Sequence, residues 1–294
     1  MHPPVSTKDP TAVQVEVQVA YGSMFPTGDP MFVSRTFNWA ADCFNGRFAD
    51  YAPIDAKYHD FEHTLQGTLC MACLLHGRHK TGAHPPVTQR LFHLGILAIL
   101  LHDTGYLKKR DDRDGTGAKY TAVHVERSIE FAANLLGEKG FNAEDILSVQ
   151  NMIRCTGVDA ALSTIPFQNE IERIVGHALG TADLLGQMAA LDYVDKLPVL
   201  YSEFAEAARH STSKTGLIAA FSSAQDLMQK TPAFWEKYVL PKLTRDFSGL
   251  YRFLNDPYPH GANYYLARIE SNMEWLKRRL SGADTTVFHR QTVN

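Results

Sequence analysis

Histidine and aspartate side chains form the most informative pattern in this sequence. They occur in the segment Tyr58-His59-Asp60-Phe61-Glu62-His63, in the adjacent pair His102-Asp103, and at Asp183. Imidazole nitrogens and carboxylate oxygens are the ligands that hold divalent metal ions in hydrolytic centres. The pattern therefore predicts a metal site, and it favours a metal-dependent hydrolase over other functional classes.

The pair His102-Asp103 contributes most to this prediction. It follows the apolar stretch 91–101, which predicts a helix that is buried on all sides. A buried carboxylate without a partner costs several kcal/mol, so Asp103 should be paired or bound to a metal ion. At a helix end both side chains can converge on one ion, and Gly105 is typical of such an end. The alternative is that Asp103 caps the next segment beside a core histidine.

The remaining candidate ligands are weaker signals when each is taken alone. Asp183 interrupts an apolar helix whose small residues permit close approach of another helix, but a buried aspartate can also pair with an arginine or cap a helix. His59 and His63 are four residues apart, which places them on one face of a helix. An isolated pair with this spacing is more often two partly exposed histidines.

Helical periodicity extends over most of the chain and predicts an all-α fold. The predicted helices cover residues 34–48, 63–79, 88–102, 121–136, 142–155, 167–183, 193–210, 215–229, 232–254 and 262–280. Residues 12–19 instead alternate strictly between apolar and polar types, which predicts a strand or an extended arm. We therefore expect an irregular N-terminal arm over 1–33, a single compact multi-helix domain over 34–285, and a tail over 286–294.

Composition excludes several functional classes. The chain has 294 residues, of which 45% are hydrophobic, and a formal net charge of −3, so it carries no general basic field for nucleic acid. The longest apolar run, 94–101, is too short to span a bilayer. Residues 1–4 lack the features of a signal peptide, and four cysteines do not make a disulfide framework. A cytoplasmic protein with neither nucleic-acid nor membrane partners is expected.

The motifs together resemble those of a known enzyme superfamily. The HD-domain metal-dependent phosphohydrolases carry the signature H…HD…D, which matches the order His63, His102-Asp103, Asp183. Residues 58–63 further resemble the Tyr-His-Asn-x-x-His motif of the class I cyclic-nucleotide phosphodiesterases. The similarity extends over about residues 58–204, and it implies that the helices form an HD-domain bundle.

This resemblance implies a role for each matching residue. One divalent ion (Mn, Mg, Zn, Ni or Fe) would be held by four side chains, namely His63, His102, Asp103 and Asp183. Asp103 would also bridge to a second, more loosely held ion, and His59 would protonate the leaving oxygen, so these two are the expected catalytic residues. The implied substrate is a small phosphorylated, nucleotide-like molecule, such as a cyclic nucleotide, cleaved by metal-activated water.

A second ion would draw on residues beyond the HD pair. Several HD subfamilies carry a histidine about two dozen residues later, where it joins the second metal or positions the substrate phosphate, and His124 matches that place. Arg127, on the same helical face, is a candidate phosphate clamp, although an ordinary exposed helix surface fits the sequence as well. Residues 104–107 and 154–156 lack histidines that other members have, so a complete second set of protein ligands is not expected.

The sequence also suggests a carboxylate partner for the proton donor and a loop close to the substrate. Glu62 or Asp60 should hold His59 as an imidazolium, the form that protonates a departing alkoxide. The charged loop at 108–117 is balanced in charge, which is typical of a solvated, mobile loop, but it directly follows the HD pair and could act as a lid.

Two other functions remain compatible with the sequence. The first is a di-iron oxygenase on the same scaffold, although the absence of a histidine near Cys155 argues against it. The second is a non-catalytic module whose ion is structural or senses a nucleotide. The presence of His59 argues against that module, because a structural ion needs no proton donor.

Overall fold

The computed structural model of the chain describes residues 5–48, 50–211 and 219–282, and it confirms the all-α prediction. These residues contain ten α-helices: α1 (Pro10–Met24), α2 (Phe32–Phe44), α3 (Phe61–Lys80), α4 (Gln89–Leu101), α5 (His124–Glu138), α6 (Ala143–Arg154), α7 (Glu170–Met188), α8 (Tyr193–His210), α9 (Ala224–Phe234) and α10 (Tyr264–Leu280). Two short strands, β1 (Asn255–Asp256) and β2 (Ala262–Asn263), pair antiparallel. The predicted tail at 286–294 lies outside the described residues.

The prediction of an irregular N-terminal arm is wrong, because Pro10–Met24 forms helix α1. Asp9 caps this helix by accepting a hydrogen bond from the Thr11 backbone N–H, and Pro10 occupies a position that favours helix starts. Val13 and Val17 are fully buried, whereas Val15 and Val19 are 53% and 59% exposed. The alternating valines thus also satisfy a helical spacing of four, and packing of α1 against α3 selects the helix.

Helix α4 lies at the centre of the molecule, as its apolar sequence predicts. All its residues from Leu94 to Leu101 are buried, and α4 packs against α3, α6 and α7. Thr88 caps its N-terminus, and His102 is its C-cap. The HD pair is therefore at a helix end, as predicted. No helix in the described part of the chain is both long enough and apolar enough to cross a membrane.

Helices α3 and α7 lie in close contact, and this contact brings two candidate ligands together. A Cβ atom at Gly186 of α7 would lie 2.7 Å from backbone atoms of Gln66 and Gly67 in α3. Any larger residue at position 186 would separate the two helices. The small residues of α7 predicted a close approach, although Gly186 was not among them. His63 and Asp183, each about one turn from this crossing, consequently face each other.

The C-terminal third departs from the predicted helix boundaries. Helix α9 ends at Phe234. It is followed by two π-helical segments, Trp235–Val239 and Lys242–Asp246, and by the 3-10 segment Leu250–Leu254. The sequence predicted one continuous helix over 232–254. Helix α10 packs against the end of α7, where the Asn272 side chain donates hydrogen bonds to the carbonyls of Met188 (2.8 Å) and Ala190 (2.9 Å).

Two histidines outside the motif are core residues, as expected for His93. The His93 ring stacks on Phe32 and its Nε2 lies 3.0 Å from the Tyr21 hydroxyl. His177 is buried between Phe167 and Phe247. Neither histidine belongs to the group of candidate ligands.

Buried His177 should make the fold sensitive to acid. Burial, followed by the charge of Arg173, lowers the pKa of His177 to about 4, so the unfolded chain binds an extra proton between about pH 6.5 and pH 4. This contribution to stability is complete above pH 6.5 and decreases by up to about 3 kcal/mol as the pH falls to 4. We expect His177→Leu to flatten the pH dependence of the free energy of unfolding, measured by urea titration at several pH values. An unchanged slope would contradict this assignment.

Candidate metal centre

Four predicted ligands converge at one point inside the helical bundle. His63 lies in the first turn of α3, His102 and Asp103 follow α4, and Asp183 lies on α7. The His63 Nε2 atom is 3.2 Å from Asp103 Oδ2 and 3.4 Å from Asp183 Oδ1. The His102 Nε2 atom is 3.3 Å and 3.5 Å from the same two oxygens. The structure thus brings together the whole predicted ligand set.

The donor atoms of this cluster fit a divalent ion. The His102 Nδ1 atom lies 2.7 Å from the Ile99 carbonyl oxygen, so Nδ1 carries a proton and Nε2 is the nitrogen that faces the cluster. His102 Nε2 and Asp103 Oδ2 are buried without a hydrogen-bond partner. The four separations of 3.2–3.5 Å between an imidazole nitrogen and a carboxylate oxygen are short enough for both atoms of each pair to bind one ion with bonds of about 2.0–2.1 Å. A bound ion would satisfy these otherwise unpaired atoms.

The charges of the cluster are strongly coupled. Burial alone would favour neutral His63, but Asp103 and Asp183 outweigh it and raise the pKa of His63 to about 10. The pKa of His102 is raised in the same way, against the effect of burial. The histidines in turn hold the pKa of both carboxyl groups below their usual range despite burial. Without an ion, protons on the imidazoles balance the negative charge.

Metal binding should therefore compete with protons. An ion can use His63 only after its proton leaves, and the raised pKa keeps that proton bound up to about pH 10. We expect Mn²⁺ affinity of chelator-treated protein to increase about tenfold per pH unit between pH 6.5 and 8.5, with about one proton released per ion. Titration calorimetry in buffers of different ionisation enthalpy measures both quantities. A pH-independent affinity would argue against binding through His63.

His59 lies beside the cluster but not on the predicted helix, because α3 begins at Phe61 with Asp60 as its cap. Its Nδ1 atom lies 2.6 Å from Glu203 Oε2, and its ring centroid is 5.3 Å from that of His63. The predicted partners are therefore wrong: Asp60 caps α3, and Glu62 pairs with Lys196 at 3.0 Å. The carboxylate that holds His59 comes from α8, far away in the sequence.

Glu203 is fixed and ionised at this position. Its Oε1 atom accepts a hydrogen bond from the Tyr58 backbone N–H at 2.7 Å, and its side chain is 5% exposed. Burial raises the pKa of Glu203, but the charge and hydrogen bond of His59 outweigh it and leave the pKa below its ordinary value. An ionised carboxylate at this distance accepts a hydrogen bond from Nδ1, which orients the ring and leaves Nε2 for the substrate.

His124 occupies the predicted position for a second ion. Gly105 makes this possible, because a Cβ atom there would collide with the His124 backbone. The His124 Nδ1 atom lies 2.7 Å from the Thr121 carbonyl oxygen, and its Nε2 lies 3.9 Å from Asp103 Oδ1. Burial lowers the pKa of His124, so its Nε2 is unprotonated at neutral pH. The Tyr106 ring stacks between His124 and His59, with centroid distances of 5.0 Å and 4.6 Å.

Arg127 does not fulfil its predicted role as a phosphate clamp. Its guanidinium donates hydrogen bonds to the carbonyls of Gly105 (2.7 Å) and Leu107 (2.6 Å) and stacks over the Tyr120 ring. It faces a small separate cleft beside Thr104 and Phe131. A helical face alone could not reveal this, because Arg127 is directed toward backbone carbonyls of the turn that follows the HD pair.

The charged loop at 108–117 is attached to the protein body. Lys108 contacts Asp55 at 3.4 Å, and the Gly117 N–H donates to the same carboxylate at 2.6 Å. The Thr116 hydroxyl donates to Glu206 of α8 at 2.8 Å. The described residues that line the main cavity do not include this loop, so its position does not support the alternative that it is a lid.

A cavity of about 810 Å³ opens over the metal cluster, a volume in the range of small-molecule sites. Its lining includes His59, His63, Asp103, His124 and Asp183 at one end. The remaining walls include residues of α5, α7, α8 and α9, together with Arg154, residues 156–165 and Phe221. The cluster is thus accessible to a ligand larger than phosphate.

Three residues of the site were missed in the sequence. Glu203 lies next to Phe204 on an amphipathic helix, so a carboxylate beside an apolar stripe was its only signal. Tyr106 follows the HD pair in a short turn and is fully buried. Gln187, one turn after Asp183, accepts a hydrogen bond from the Tyr58 hydroxyl at 3.0 Å.

Comparison with known proteins adds a partial family match. A family model described as Npun_R2479-like matches residues 110–254, just under half of the chain. This description names no activity, substrate or cofactor. The matched segment contains His124, Asp183 and Glu203, whereas His59, His63 and the HD pair precede it. No curated protein matches the chain.

Proposed function

We propose that this protein is a metal-dependent phosphohydrolase that cleaves an ester of a small phosphorylated molecule. One observation carries the proposal. A cluster of two histidines and two aspartates with unpaired buried donor atoms lies beside a histidine–glutamate pair, and both open into one large cavity. A binding site for an ion alone would need neither the second pair nor the cavity.

The proposed metal ligands and the proton donor have separate roles in the reaction. His63, His102, Asp103 and Asp183 would hold a divalent ion, which supplies an activated water and neutralises charge on the phosphate oxygens. His59 donates a proton from Nε2 to the departing oxygen, and Glu203 keeps the ring oriented through Nδ1. The Tyr106 ring supports His59 from one side.

Asp103 has a position that suits a second, weaker ion. Its Oδ2 atom faces His63 and His102, whereas Oδ1 faces His124. Among the described residues, the candidate ligands that form a close group of three are His63, His102 and Asp103, which favours one firmly held ion and one that binds with the substrate.

The resemblance of residues 58–63 to the phosphodiesterase motif makes cyclic nucleotides the first esters to test. We also propose a cytoplasmic location, because all four cysteines are free thiols, as in a reducing compartment. Cys155 is buried and packs against α7 at Gly176. It stands where the oxygenase alternative would need an additional histidine as a ligand of its iron. This favours hydrolysis over the oxygenase alternative.

Removing the charge of Glu203 tests the proton-donor pair. Glu203→Gln keeps the size of the side chain and an acceptor for the Tyr58 N–H, but it no longer stabilises a charged imidazole. We expect kcat to decrease by about 10- to 100-fold, with metal content unchanged.

Glu206→Gln is the matched control, because Glu206 lies on the same helix but accepts a hydrogen bond from Thr116 and does not contact His59 through a hydrogen bond. Both variants and the wild-type protein are assayed with a panel of phosphate monoesters and diesters, including cyclic nucleotides, with Mn²⁺, Mg²⁺ or Ni²⁺. Equal activity of the two variants would contradict the role of Glu203. Absence of metal-dependent turnover with every ester would contradict the proposed function.

A further inference from the structure

The side chains that line the cavity also indicate which class of substrate fits the site. We infer that the site accepts an ester with a single phosphate and a bulky apolar organic group, rather than a nucleotide. This inference rests on the proposed function and defines the substrate class of the same site. Three features of the cavity wall support it: an apolar surface on three helices, amide and threonine side chains that are already engaged, and a shortage of cations.

Apolar side chains on three helices line the cavity. On α8, three of them follow a spacing of three and four residues, which places them on one helical face. Helices α7 and α9 contribute similar faces. These wall residues are Leu184, Leu197, Leu200, Phe204, Leu227 and Phe234. Phe221 extends this wall, because its ring stacks parallel to that of Phe204 at 6.0 Å.

The apolar wall begins directly at the reaction centre. Phe204 is adjacent to Glu203, the partner of His59, and Leu184 is adjacent to Asp183. A phosphate held at the cluster would therefore direct its organic group onto these side chains. The cavity volume of about 810 Å³ leaves ample space for such a group.

The polar side chains of the lining are poorly suited to recognise a nucleobase. Gln187 is the one amide among the described lining residues. It accepts a hydrogen bond from the Tyr58 hydroxyl, and its Nε2 donates to the Asp183 carbonyl oxygen at 3.2 Å and to Asp183 Oδ1 at 3.3 Å. The hydroxyls of the lining threonines donate to backbone carbonyls of their own turns, which holds for Thr121, Thr156, Thr164 and Thr231. A purine edge could use neither the Gln187 amide nor these hydroxyl protons without breaking an existing hydrogen bond, which disfavours its binding.

The charges of the lining argue against more than one phosphate. Arg154 is the one lysine or arginine among the described residues that line the cavity, and its guanidinium donates to Asn151 at 3.0 Å. The carboxylates of Glu126 and Asp159 line the same cavity. Binding of diphosphates and triphosphates in proteins relies on several such cations, so a second or third phosphate would be poorly neutralised here.

Three non-hydrolysable phosphonates separate the contributions of the organic group. The probes are methylphosphonate, (1-naphthylmethyl)phosphonate and the phosphonate analogue of adenosine monophosphate, titrated calorimetrically into Mn²⁺-loaded protein. We expect the naphthyl compound to bind at least about tenfold more tightly than methylphosphonate, because its ring buries apolar surface on the wall. The nucleoside compound should gain less than the naphthyl compound.

Two variants test whether the wall produces this preference. Leu200 and Phe221 are only partly buried, so Leu200→Asn and Phe221→Ser should fold. Each should reduce the affinity ratio of naphthyl to methyl compounds by about threefold or more while leaving methylphosphonate binding unchanged. A ratio near one in the wild-type protein, tighter binding of the nucleoside compound, or no binding of the naphthyl compound would overturn the inference.

Hydrolysis of 1-naphthyl phosphate and adenosine monophosphate is measured in parallel, so that the two proposals can fail separately. Preferred binding of the naphthyl phosphonate without turnover of any ester would support the ligand class and contradict the phosphohydrolase. Faster turnover of the nucleotide would support the phosphohydrolase and overturn the inference about its substrate.

Discussion

Replacing His59 with asparagine is expected to lower kcat by about 10²- to 10⁴-fold while bound metal remains. His59 is the one cavity-lining histidine that pairs with Glu203, and it lies outside the cluster of His63, His102 and Asp103. Loss of its proton forces the leaving oxygen to depart as an alkoxide. The comparison requires kcat and metal content of the purified variant, measured beside those of the wild-type protein.

A good leaving group provides the control for His59→Asn. An ester of 4-nitrophenol needs little protonation of its departing oxygen, so its hydrolysis should be affected much less than that of an alkyl ester. Equal losses with both esters would indicate that His59 acts on binding or folding instead. Normal turnover of alkyl esters by the variant would contradict its role as proton donor.

Asp103→Asn is expected to abolish both metal binding and turnover. Asp103 Oδ2 is the oxygen shared by His63 and His102, and Oδ1 is the oxygen nearest to His124. The substitution keeps the size of the side chain but removes the charge that balances the ion. Metal affinity should decrease by more than about 100-fold, because changes to residues that merely support metal ligands already cost about 10- to 100-fold.

The matched control is Asp159→Asn. Asp159 also lines the cavity, but it is an exposed residue of the 156–165 segment and does not belong to the cluster. This variant should retain its metal and its activity. If Asp103→Asn binds metal as tightly as Asp159→Asn does, the proposed metal centre is wrong. Similar unfolding temperatures of the two variants without metal would show that the substitution altered the cluster and not the fold.

The metal ligands could be predicted from the sequence, because the prediction depended on their order along the chain and on their position in apolar helices. The HD pair ends a buried helix, so its polar side chains needed partners, and the helical period marked Asp183 as a carboxylate on an apolar face. These constraints are local, and in the structure each imidazole of His63 and His102 lies within 3.5 Å of a carboxylate oxygen of Asp103 and of Asp183.

Features that depend on packing between distant segments were not predictable. The partner of His59 is Glu203, separated from it by 144 residues, whereas sequence proximity suggested Asp60 or Glu62. Arg127 was expected at the substrate, but the turn at 105–107 engages its guanidinium. The alternating valines of α1 fitted a strand until contact with α3 determined which of them are buried.

Metal dependence of ester hydrolysis tests the central proposal most directly. The protein is depleted of metal with a chelator, and bound Mn²⁺ and turnover of the phosphate-ester panel are measured together as the ion is restored. The proposal predicts no turnover in depleted protein and recovery of turnover in proportion to the ion bound at the cluster. Turnover that is independent of metal, or a fully loaded protein that hydrolyses none of the esters, would contradict it.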